Sequence, residues 1–221
     1  MPPAVPPARS TYRHGDLRRA LVEAGVALAR EGGPEAVALR EATRRVGVAP
    51  NAAYRHFGSH SELLQAVRAQ ALAAAARSME AQLATVEVLE GRATKARLAA
   101  RARARVHAVG AGYVHFAMAE PGLFRTAFSR PAAASRSPPA ADADMGGQSG
   151  LNPFQLLGAA LDDLVRTGVL VHDRRPQAEY VAWSAVHGLA MLVLDGPLHG
   201  IARKQVDALT ARVLDMVERG I

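Results

Sequence analysis

Residues 39–57 read LREATRRVGVAPNAAYRHF, and this stretch decides the fold. Two short helix-forming runs flank Val46-Gly47-Val48. Gly47 falls where a tight interhelical turn needs a positive φ, which glycine adopts at little cost. Pro50 suits the first turn of the second run, because the N–H it lacks would have no helical partner there. The spacing predicts a helix-turn-helix with helices near 39–45 and 50–57.

Such a unit lays its second helix in the DNA major groove while the first crosses the backbone. Asn51 has the paired donor and acceptor that match adenine, and Ala49, Ala52 and Ala53 are small enough for close approach or for a thymine methyl. Arg40, Arg44, Tyr54, Arg55, His56 and His60 supply donors for phosphates. The competing reading is two ordinary core helices carrying solvated arginines.

Outward from this stretch, β-branched alternation is scarce and Ala, Leu and Arg recur at helical spacing, so the chain is expected to be all-α. A first helix is expected from about Asp16, with Leu17, Leu21, Ala24 and Leu28 on one stripe and Gly32, Gly33 and Pro34 ending it. Ser59 or Ser61 opens a long helix to about Leu83, with Glu62 in its first turn. After Gly91 comes a helix over about 94–120 that carries Leu98, Ala102, Val106, Val109, Tyr113 and Phe116 on one face. Arg97, Arg101 and Arg105 lie on another, and Pro121 and Gly122 end it. A short helix is expected near 123–128. Residues 129–152, SRPAAASRSPPAADADMGGQSGLN, lack a periodic apolar face and are expected to form a mobile loop. Helices resume near 153–167, 176–195 and 202–219.

Of the 221 residues, 49% are hydrophobic and 21% charged, with no apolar run near the roughly 18 residues of a membrane span. The Pro- and Ala-rich start lacks a secretory h-region, so residues 1–12 are expected as a disordered arm on a cytoplasmic protein. With no cysteine, disulfides, zinc-thiolate sites and thiol catalysis are excluded together. The net charge of +7 rests on 25 Arg and 2 Lys. A basic balance favours a polyanionic partner, although GC-rich coding would give the same arginine excess. His187, Asp195 and His199 straddle a Gly-Pro break, and His107 and His115 lack a carboxylate at metal-ligand spacing. No metal, cofactor or catalytic role is therefore expected, and neither a phosphate-cradling loop nor a nucleophile elbow is present.

From Tyr12 through Leu64 the sequence resembles the TetR family of bacterial regulators. The resemblance rests on Arg40-Glu41, Arg45-Val46-Gly47-Val48, Pro50, Tyr54-Arg55-His56-Phe57 and Glu62-Leu63-Leu64. It implies a homodimer with a three-helix DNA-binding domain over 13–60. A long helix joins this to a larger helical domain over 61–221 that binds a small molecule and dimerises. The implied activity is a transcriptional repressor released from a palindromic operator by an inducer; a DNA-binding dimer without an inducer, or an activator, are the alternatives. Arg13, Arg40, Ala49, Pro50, Asn51, Ala52, Tyr54, Arg55, His56 and His60 are the expected DNA-facing residues. The family pattern puts Tyr54 and His56 on phosphates and Phe57 in the core. Three departures stand out. Ala38 and Ala49 replace the usual Ser or Thr caps, each worth about 1 kcal/mol. Thr43 replaces a usual Ala, and His60 stands where a Lys usually meets a phosphate, so that contact would weaken as imidazole loses its charge.

The C-terminal part is similar to members with a Trp-His-Gly signature, here Trp183, His187 and Gly188. The spacing puts Trp183 and His187 one turn apart on one face. His187 either bonds within the core or lines a ligand cavity. Seven of the ten aromatic residues follow residue 100. Tyr113, Phe116, Phe124, Phe128, Trp183, His187 and Met191 are the candidate ligand residues for a small, mostly apolar molecule, with core packing as the rival account. The helix near 176–195 is apolar almost all round. Val206, Leu209, Val213, Met216 and Val217 stripe the last one. These two helices are expected to form a four-helix bundle across a two-fold axis, with an intramolecular core as the alternative.

Overall fold

A computed structural model describes residues 14–89, 91, 93–129 and 143–221. The expected arm at 1–12, Arg13 and residues 130–142 of the expected loop lie outside the described residues. Among the described residues the chain is helical without strands: α1 His14–Gly32, α2 Leu39–Val46, α3 Pro50–Ala53, α4 His60–Leu83, α5 Lys95–Ala119, α6 Pro121–Ala127, α7 Pro153–Arg166, α8 Ala178–Leu194 and α9 Arg203–Gly220.

The N-terminal helices close around the apolar stripe of α1. Leu17, Leu21 and Leu28 are buried with Val37, Leu39, Ala42, Ala53 and Phe57, and Leu63 and Val67 of α4 complete this core. Phe57 is 2% exposed, and burying a side chain of its size stabilises by roughly 1.5–3 kcal/mol. The Arg18 guanidinium lies over its ring, 5.3 Å from the centre. Ser59 caps α4 by accepting from the Glu62 N–H at 3.2 Å, while Glu62 accepts from the Gly58 N–H at 2.8 Å.

α4 runs from this core into the C-terminal helices, packing on α1 at one end and on α5, α6 and α7 along the rest. α5 is the central helix, touching α4, α6, α7, α8 and α9. From Val106 to Ala117 it is buried nearly all round, as its run of apolar and small residues requires. Leu98, expected on that buried face, is exposed instead, because the first turns of α5 extend beyond the neighbouring helices. Pro121 does more than end α5: it opens α6 at the helix position where its missing N–H costs nothing.

The expectation of a mobile loop up to residue 152 does not hold for its last ten residues. The Glu80 carboxylate accepts from the N–H groups of Gln148 at 2.7 Å and Ser149 at 2.8 Å, and from the Ser149 hydroxyl at 2.6 Å. Asn152 and Gln155 then form a reciprocal capping box at 2.9 and 3.0 Å that starts α7. A distant carboxylate thus supplies order that local composition lacks.

Candidate nucleic-acid interface and internal cavity

The turn between α2 and α3 is built as the sequence demands. Gly47 has φ 75° and ψ 31°, its N–H reaches the Arg44 carbonyl, and the Val48 N–H reaches the Thr43 carbonyl at 3.1 Å. Thr43 is fully buried and spends its hydroxyl on the Arg40 carbonyl at 2.7 Å, so the larger side chain enters the helix crossing without an unpaired polar atom. Ala38 and Ala49 make no side-chain caps.

Regular helix in α3 lasts only from Pro50 to Ala53, shorter than the expected 50–57, and a turn carries the chain on to Phe57, with the N–H groups of His56 and Phe57 both donating to the Ala53 carbonyl at 2.9 Å. Ala53 and Phe57 point into the core, which turns Ala49, Pro50, Asn51, Tyr54 and Arg55 outward; Ala52 and His56 are half-buried. Tyr54 is 59% exposed, a large apolar ring left in water unless a partner covers it. Arg40 and His60 are also exposed.

The arginines of α2 divide by role, which composition did not show. Arg44 pairs with Glu41 at 2.6 Å, and Arg45 pairs with Glu31 of α1 at 2.6 Å and with Glu41 at 3.5 Å. The Arg44 hydrogen bond holds the Glu41 carboxyl down to about 2. Among the described residues no carboxylate pairs with Arg40 or Arg55, so their charges stay available to an outside anion. The Glu41 to Arg45 contact is an i, i+4 pair visible in sequence; the Glu31 contact needed the fold.

A cavity of about 50 Å³ lies among α4–α9. Leu72 and Met79 of α4, Val106, Val109 and Tyr113 of α5, Phe128 after α6, Phe154 and Leu157 of α7, Ala182, Trp183 and Val186 of α8, and Leu214 and Val217 of α9 line it. Of the expected ligand residues, Tyr113, Phe128 and Trp183 are in this wall. Phe116 and Phe124 are buried behind it as core. Met191 does not face it: this side chain is 39% exposed on the outer side of α8, because residues 182, 186, 189, 190 and 193 form the inward face. Sequence reading missed Val106, Val109, Leu157 and Val186 as cavity residues, since nothing in an aliphatic residue separates cavity wall from core.

His187 is not in the wall either. The Tyr113 hydroxyl accepts from Trp183 Nε1 at 3.0 Å and shares a hydrogen bond with His187 Nδ1 at 2.7 Å. The Trp and His of the signature thus converge from α8 on one hydroxyl of α5. Burial raises the Tyr113 pKa and lowers that of His187, so both are held neutral. Phe124 stacks on His187 with centroids 5.5 Å apart, and Phe128 meets Trp183 at 5.8 Å.

α6 joins this cavity to the N-terminal helices. A Cβ on Gly122 would lie 2.1 Å from the Ala29 carbonyl oxygen, so α6 touches the backbone of α1 through a position that only glycine fits. Arg30 pairs with Glu120 at 3.1 Å, and Arg68 of α4 donates to the Ala127 carbonyl at 2.9 Å. Arg125 grips Asp195 at the end of α8 through two contacts of 2.5 and 3.2 Å.

A helix-turn-helix with unpaired arginines, set against a helical domain with an internal cavity, defines the class of DNA-binding regulators. Residues 21–67 match the family model for bacterial regulatory proteins of the tetR family, and residues 106–217 match the tetracyclin repressor-like C-terminal domain. The second match spans half of the chain, and the chain belongs to the TetR family: it is a DNA-binding transcriptional regulator rather than an enzyme. No curated protein matches the sequence. Among solved structures, a protein of unknown function from Rhodococcus sp. RHA1 aligns with TM-score 0.65 at 24% identity, covering 96% of this chain and 99% of its own. A TetR transcriptional regulator from the same source gives 0.53 at 18%, covering 93% and 97%. The TetR family transcriptional regulator PfmR from Thermus thermophilus gives 0.53 at 18%, covering 90% and 97%. At these identities the likeness speaks for the fold.

Proposed function

We propose that the chain is a repressor that binds a palindromic operator as a homodimer and leaves it when a small apolar molecule enters the cavity. Residues 13–60 form the DNA-binding domain and 61–221 the ligand-binding and dimerising one. The observation that carries this reading is the shared use of α4 and α6. α4 lines the cavity with Leu72 and Met79, α6 leads directly into Phe128 of the wall, and both pack on α1, so a change in the wall has a route to the recognition surface through packed helices. An inducer would act by favouring a different spacing of the two α3 segments, with coupling of about 1–3 kcal/mol.

Arg40, Tyr54, Arg55, His56 and His60 contact phosphates in this reading, and Asn51 reads an adenine with Ala49, Pro50 and Ala52 against the base edges. Arg13, outside the described residues, joins them in this reading. The dimer forms through α8 and α9, whose outer faces expose Val181, Leu192 and Met216, side chains that water alone covers poorly. Among the described residues no helix is long and apolar enough to cross a membrane, in keeping with a cytoplasmic place of action.

Selection of duplex DNA from a random library by the purified protein tests the reading. A two-fold symmetric site with half-sites roughly 34–36 Å apart is expected. Arg40→Ala should weaken binding to every sequence and flatten its salt dependence, whereas Asn51→Ala should relax choice at one base. A footprint without two-fold symmetry would overturn the dimeric repressor. The small size of the cavity favours one second reading, a DNA-binding dimer with no inducer.

A further inference from the structure

We infer, on the reading of the chain as a ligand-responsive regulator, that the cavity takes an uncharged, hydrocarbon-rich molecule held chiefly by packing, and that the Trp183–Tyr113–His187 chain exists to make its wall apolar.

Among the described residues no Arg, Lys, Asp, Glu or His lines the cavity. The lining residues with oxygen or nitrogen in their side chains are Tyr113, Asn152 and Trp183. Two of the three are engaged elsewhere. Trp183 has a single N–H and gives it to Tyr113, whose hydroxyl also meets His187. Asn152 spends its side-chain oxygen on the Gln155 N–H in the cap of α7, which leaves its amide N–H groups as the one polar donor of the wall. A ligand carboxylate or ammonium would therefore lose its water with no counter-charge in return, and a single neutral amide repays that loss poorly. Burial of Tyr113 keeps its hydroxyl protonated, so the wall itself supplies no charge.

Size narrows the class further. About 50 Å³ is a third of the roughly 150 Å³ of an apolar cavity that admits benzene. The occupant must open the wall as it enters. Met79, with its unbranched flexible chain, and the half-buried rings of Phe128, Phe154 and Trp183 are the parts able to move. A compact cyclic or branched hydrocarbon skeleton fits this description.

Trp183 is the sole tryptophan of the chain, so its emission reports occupancy directly. The test uses native full-length protein without DNA and four probes on one skeleton: isopropylcyclohexane, 4-isopropylcyclohexanol, 4-isopropylcyclohexanecarboxylate and 4-isopropylcyclohexylamine. Saturable changes in emission and a raised melting temperature are expected with the hydrocarbon and the alcohol, with both ions binding at least about 100-fold more weakly. Val109→Ala, which enlarges the wall, should shift preference to the tert-butyl analogue of the alcohol. The inference is overturned if either ion binds as tightly as the alcohol, if neither neutral probe changes the emission up to its solubility, or if Val109→Ala leaves the size preference unchanged. Neutral binding that leaves operator affinity unaltered supports the ligand class and removes ligand release. Tight binding of an ion that does lower operator affinity does the reverse.

Discussion

Tyr113 stands between two side chains that share its hydroxyl, and Tyr113→Phe would keep the ring while stranding a donor and an imidazole nitrogen. Unfolding free energy should fall by about 1–3 kcal/mol in a denaturant titration. An unchanged midpoint would mean that water replaces the hydroxyl. Glu41 offers a pH test. Its carboxyl is depressed from 4.5 to about 2, so its contribution to stability is complete above 4.5 and is lost as pH falls through about 2. Acid unfolding of Glu41→Gln should be flatter over that window than that of the native chain. A third residue, His60, is exposed beside the recognition surface. His60→Ala should weaken binding to every sequence through the lost donor, and His60→Lys should restore it. Unchanged affinity in His60→Ala would remove His60 from phosphate contact. These residues differ in how far sequence exposed them. Gly47, Thr43 and the uncapped Ala38 were legible because their chemistry is local. The pairing of Tyr113 with residues some seventy positions away was not, since a signature states spacing within one helix and says nothing of the partner helix.

Among the elements, α4 and α7 were readable to within a residue or two, α4 from the Ser59 cap with Glu62 in its first turn and α7 from Pro153 and its apolar face. The failures have physical causes. α3 stops after one turn because its core anchors, Ala53 and Phe57, lie where the chain must already bend toward α4. The segment before α7 is ordered by Glu80, which no local pattern reveals. α6 was visible as a short helix, but its role as the contact with α1 rests on the absence of a Cβ at Gly122. Gly122→Ala must push the two helices apart, at a cost of about 1–3 kcal/mol, and should lower the melting temperature and DNA affinity together. Retention of both would deny α6 its place in the coupling. At the opposite end of the scale, Ala38→Ser restores a missing cap at a residue with extended backbone, φ −110° and ψ 133°. A gain of about 1 kcal/mol in unfolding free energy is expected.

For the whole molecule, the all-α class and the N-terminal DNA-binding domain were both evident from spacing and charge. The helix near 176–195 was read as apolar almost all round, and a single chain buries only one side of α8. Val181 is 52% exposed there, so Val181→Glu tests the proposed dimer. Sedimentation should show a protomer-sized species, and operator affinity should collapse because two half-sites are no longer bridged. A stable dimer would send the interface elsewhere.

The two-point grip of Arg125 on Asp195 ties the helix that reaches α1 to the end of the helix proposed to meet a second copy. Subunit association and cavity occupancy then belong to one thermodynamic cycle. Whatever factor an occupant imposes on the protomer equilibrium, dilution into separate protomers must impose on the occupant's apparent affinity. Titrations at high and at limiting protein concentration would read that factor with no DNA present. Because the ion pair is largely open to solvent, added salt should shrink it.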